Sequence, residues 1–141
     1  MTAMSAAAVM LPPLTAADPH RVLGHHRRAI EIAAGPRAAA SGRQWVDRCL
    51  ALEGVPAQQR PRIRLVATEL IREAVTCTHS DDRLLLELDL RAEGALVGVR
   101  DPSRMQQVSH RTELAARLGG EWGIEWPPTG GRRVWCRVGL S

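Results

Sequence analysis

The sequence predicts an α/β fold: a two-layer sandwich in which a mostly antiparallel, mixed sheet carries about three helices on one face. Three observations lead there. Residues 63–77 read IRLVATELIREAVTC, with Ile63, Val66, Ala67, Leu70, Ile71, Ala74 and Val75 forming one continuous apolar stripe at helical spacing. Residues 83–91 read RLLLELDLR, which places Leu84, Leu86, Leu88 and Leu90 on one face of a strand and Leu85, Glu87 and Asp89 on the other. A tight Ala92-Glu93-Gly94 turn then leads into ALVGVRD, so the two strands form a hairpin whose apolar face has to lie on helices.

The remaining elements follow in order. Residues 1–21 are Ala-rich and broken by Pro12, Pro13 and Pro19, which predicts a flexible tail and leaves 22–141 as a single domain. Residues 28–33 alternate as a short strand ending at Gly35, and the His25-His26-Arg27-Arg28 cluster before it suits either a wet strand entrance or an acidic partner. Between residues 36 and 53 the pattern turns helical, with Pro36 in the first turn, Ala39, Val46, Cys49 and Leu50 as the stripe, and Gly54 as the stop. Pro61 suits the first turn of the next helix, and Thr78-His79-Ser80-Asp81-Asp82 supplies turn chemistry at its end. Residues 110–118 predict a short helix closed by Gly119-Gly120, residues 121–126 a strand, 127–131 a turn and 132–140 the closing strand.

A chain of 141 residues is sized for one domain with its own core. Its 19 basic residues are all arginine, Phe and Tyr are absent, and the net charge is +4. Such a balance suits an acidic protein partner or a polyanion. The arginines are scattered, however, and few rings are present to stack on bases, which argues against nucleic acid. Cys49, Cys77 and Cys136 are odd in number and form no CxxC pair, as expected of reduced, mostly buried thiols. A zinc site at Cys77 and His79 lacks two further ligands nearby. No stretch approaches the roughly 18–20 apolar residues of a membrane helix, and the N-terminal apolar run has no positive charge ahead of it. The expectation is a cytoplasmic protein with no membrane partner.

Candidate site residues lie on the helix and at the hairpin's end. Glu69 and Glu73 stand one turn apart on the flank of the apolar stripe, so two carboxylates sit side by side at the edge of whatever the helix packs against. Paired with Arg62 or Arg72 they would be a solvated face; unpaired, they would be a functional pair. Asp101-Pro102-Ser103 at the strand end is a turn signal on its own.

The segment ATELIREAV, followed by the hairpin, DPS, and WG…GGRRVW at the close, resembles the GHKL ATPase superfamily, in particular its anti-sigma-factor branch of small serine-kinase-like domains. The resemblance runs from about Ile30 to the C-terminus and implies a Bergerat-like ATPase fold. It implies Glu69 as catalytic base, Glu73 in the place of a magnesium-holding asparagine, and Asp101, with Ser103 beside it, at the adenine. It also implies a lid near residues 102–109. The chain departs from the family pattern in three places: Glu73 replaces the asparagine, Cys77 a histidine that often follows it, and Ser109-His110-Arg111 a GxG phosphate loop. Side chains there obstruct the approach of phosphate to bare backbone, and Arg111 could offer a guanidinium in compensation. Two carboxylates at about 5 Å repel by roughly 3 kcal/mol at an effective dielectric near 20, unless a cation neutralises them. The resemblance therefore implies an anti-sigma-like regulator with a degenerate ATP and magnesium site and weak or no kinase activity. It would hold a sigma factor or an anti-sigma antagonist, as a homodimer. The alternative it implies is an active ATP/Mg-dependent serine kinase acting on such an antagonist.

Overall fold

The computed structural model describes residues 26–103 and 120–139. The expected tail at residues 1–21, the expected helix at 110–118 and Arg111 lie outside them. The described elements are β1 (His26–Ala33), α1 (Ala38–Leu52), a 3-10 turn (Ala57–Gln59), α2 (Arg60–Thr76), β2 (Arg83–Leu90), β3 (Gly94–Asp101), β4 (Trp122–Glu125) and β5 (Arg132–Gly139). The strands form one sheet in the order β1-β2-β3-β5-β4, and all four pairings are antiparallel.

Period-two alternation and helical stripes meet in a single core. Ile30, Leu86, Val99, Val134 and Ile124 stand in one row across all five strands, and Leu88, Val97, Cys136 and Trp122 in the next. Against these rows lies the stripe of α2, whose Ile63, Val66, Ala67, Leu70, Ile71 and Ala74 are all buried. Each fully buried Leu or Ile contributes roughly 1.5–3 kcal/mol, so this layer outweighs any local propensity. α1 closes on α2 at Gly42, where an added Cβ would run into Cδ1 of Ile71. It ends as the sequence predicts: Gly54 takes φ +72°, its N–H bonds to Ala51 O, and the Val55 N–H reaches Leu50 O. That pattern is a Schellman close, which needs the left-handed residue that glycine supplies.

The second face of the sheet is buried at its centre. Glu87 and Asp89, which the alternation places away from the helices, are both buried. Glu87 accepts from Arg133 Nε at 2.9 Å, and Asp89 pairs with Arg27 at 3.6 Å and Arg91 at 3.4 Å. Trp135 lies between Gly98 and Gly123 on this face and is buried there. Its ring rests on Gly123, where a Cβ would come within 2.7 Å of it. Gly123→Ala is therefore expected to destabilise by about 1–3 kcal/mol, read as a lower urea midpoint at unchanged slope. Gly98→Ala should be milder, since its Cβ would make only ordinary contacts at 3.5 Å.

Candidate functional site

Glu69 and Glu73 share a helix flank but end in different surroundings. Glu69 keeps a side-chain exposure of 13% and pairs with Arg72 at 3.4 Å, so the solvated-face reading describes it in part. Glu73 is only 1% exposed. Four residues advance a helix by about 40° beyond a full turn, and that rotation carries Glu73 from the flank into the seam between α2 and the sheet.

What waits in the seam is a cation from the closing strand. Arg132 Nη2 stands 3.5 Å from Glu73 Oε2 and 3.3 Å from Asp101 Oδ2, with Arg132 Nε 3.4 Å from the same Asp101 oxygen. The Arg132 side chain has no exposed surface, and neither has that of Asp101. Asp101 Oδ1 accepts the backbone N–H of Ser103 at 2.8 Å, closing the Asp-Pro-Ser turn. Cys77 Sγ donates toward Glu73 Oε2 at 3.6 Å, and Thr76 Oγ1 donates to the Glu73 carbonyl at 2.7 Å. One guanidinium thus bridges carboxylates from α2 and β3. Its contacts are longer than the roughly 2.7–2.9 Å of a tight charge-assisted bond because it is shared.

The local chain explains why Arg132 arrives there. Asp101 and Arg132 are cross-strand partners, and Val134, Cys136 and Val138 continue the same inward-facing alternation. Gly131 takes φ +78°, and a Cβ on it would strike the carbonyl oxygen of Asp101, so the strand starts only from a glycine. The next residue, Arg133, faces the other side of the sheet and bridges Glu87 and Glu125, the latter at 2.8 Å. The adjacent arginines of GGRRVW therefore clamp opposite faces.

Among the described residues the seam brings one guanidinium to two carboxylates. Burial raises Asp101 above the usual carboxylate range, with Arg132 and the Ser103 N–H pulling the other way. For Arg132 burial opposes the charge, but Asp101, Cys77 and Glu73 outweigh it and lift the guanidinium above its ordinary value. Cys49 and Cys136 play no comparable part: burial raises the first and pushes the second up to about 12, and neither forms a disulfide.

Glu73 and Asp101 do not fit the metal and adenine roles that the family resemblance implies for them. Magnesium needs oxygen ligands at about 2.0–2.1 Å in octahedral array, and Glu73 presents its Oε2 to a guanidinium and a thiol instead. Both Asp101 oxygens are engaged within the fold. Among the described residues no group of three or more His, Cys, Asp or Glu side chains could hold a metal ion. A cleft lined by Gly35, Pro36, Ala39, Arg72, Val75 and Thr76 draws on none of Glu73, Asp101 or Arg132.

Sequence reasoning singled out Glu69, Glu73, Asp101 and Ser103, and the structure brings Glu73, Asp101 and Ser103 together while Glu69 stays at the margin. It missed Arg132. The signal was available in parity, since a residue two before Val134 shares its face. Among the described residues no helix is long and apolar enough to cross a membrane.

No protein-family model matches the chain, and no curated protein matches it in sequence. Among solved structures it is similar to the RsbU and RsbW domains of Rv1364c from Mycobacterium tuberculosis, with a TM-score of 0.62 and 19% identity over 79% of this chain. The match spans 32% of the length of that chain. The five-stranded sheet with its helix layer is thus a fold that this protein shares with a chain carrying RsbU and RsbW domains.

Proposed function

We propose that this protein is an anti-sigma-like regulator that acts by holding a protein partner, a sigma factor or an anti-sigma antagonist, without working as a kinase. The fold shared with a chain that carries an RsbW domain supports the regulatory class. The observation that carries the non-kinase part is the burial of Arg132 between Glu73 and Asp101. Phosphoryl transfer depends on positioned phosphates and metal-borne charge, and the carboxylate in the metal ligand's place, Glu73, is spent on an internal cation. Glu69, beside Arg72, is a base with nothing to activate.

Partner capture and phosphoryl transfer separate this from the second reading, an ATP-dependent serine kinase, which the retained Glu69 favours. The full chain is expected to retain a sigma factor or an antagonist in a systematic pairwise screen, and to transfer no labelled phosphate to either. Labelled antagonist, with the label lost in Glu69→Ala, would establish the kinase instead. Capture of no member of either class would remove the regulatory reading. A cytoplasmic location and a homodimer belong to the same proposal, and a sizing column addresses the dimer.

A further inference from the structure

We propose that the nucleotide subsite this fold would offer has become a sealed internal ion cluster with Arg132 as its permanent cation, so that the chain's regulatory state is set without ATP, ADP or magnesium. This deepens the regulatory reading above and rests on it for the word regulatory.

The cluster joins three elements at one point. Glu73 comes from α2, Asp101 from the end of β3 and Arg132 from the start of β5, and all three side chains are at least 98% buried. A metal-bound nucleotide would have to bring positive charge to the same carboxylates, and Arg132 already does so.

Arg132 is also poorly placed to step aside. Its backbone pairs with Asp101 in the β3–β5 ladder, and Gly131 before it is pressed against the Asp101 carbonyl. Vacating the seam would strand buried carboxylates, which weakens any incoming ligand by about 10²–10⁴-fold. The Ser103 N–H on Asp101 Oδ1 ties the chain leaving β3 to the same cluster.

The test reads Arg132 directly in the intact protein. In isotope-labelled full chain, the Arg132 Nε–H resonance is expected to exchange slowly with water and to stay in place as ATP or ADP with magnesium is raised to about 5 mM, with no rise in unfolding temperature. Movement of that resonance, or a rise of more than about 2 °C with either nucleotide, overturns the proposal. Glu73→Gln, which keeps shape and removes one carboxylate, is a second arm. It should remain as silent as the natural chain because Arg132 still fills the seam. A gain of tenfold or more in nucleotide affinity would mean an open pocket silenced by charge alone, and would also overturn it. The two proposals fail separately. A nucleotide response with partner capture intact removes the sealed site and leaves the regulator; silence toward nucleotide with no partner captured does the reverse.

Discussion

Arg132→Met is expected to lower the stability of the fold by about 3–5 kcal/mol at neutral pH, read from urea unfolding midpoints. The methionine fills most of the volume, so the cost is electrostatic. Glu73 and Asp101 would remain in a seam that excludes water with no cation between them. The pH dependence follows from Asp101, which burial already raises above its ordinary value with the guanidinium present. Without Arg132 it rises further. A carboxyl whose folded pKa exceeds its unfolded value adds stability that is fully present below about pH 4 and is lost as pH rises through the folded pKa. The gap between the natural chain and Arg132→Met should therefore narrow toward pH 4 and widen toward pH 7. A gap independent of pH would mean that lost packing, and not lost charge, sets the cost. Asp101→Asn serves as the control: it leaves one carboxylate facing one guanidinium and keeps an oxygen for the Ser103 N–H, so it should cost far less than Arg132→Met.

Arg133→Met is expected to cost about 3 kcal/mol, at the lower end of the same range. Arg133 bridges Glu87, whose side chain is 2% exposed, and Glu125, which is 26% exposed. Water can reach Glu125 once the arginine is gone, but not Glu87, so only one carboxylate is truly stranded. Combining Arg133→Met with Glu87→Gln should recover much of the loss, because the buried charge is then absent. The coupling in a double-mutant cycle is expected to exceed about 1 kcal/mol. Additive effects would place Arg133 among surface arginines that contribute little.

Much of the architecture was legible in the sequence because its causes are local. The stripe from Ile63 to Val75 could bury itself only as a helix, and the alternation of Leu84, Leu86, Leu88 and Leu90 only as a strand. The structure places both as expected, within a few residues at their ends. Pro61 and Gly54 marked helix boundaries for reasons contained in their own backbones. Glu87 and Asp89 were legible as the second face of β2. Their burial was not, since it depends on Arg133 and Arg27 arriving from other strands.

The candidate site divides in the same way. The sequence by itself determined that Glu69 and Glu73 lie one turn apart on one helix and that Asp101 ends the second strand of the hairpin. Only the tertiary structure decided what those carboxylates face. Arg132 is 59 residues from Glu73 and 31 from Asp101, so no local pattern couples them. An ion pair has no period to read; it is set by which side chains the packed layers bring within reach, and by the burial that makes each charge require its partner.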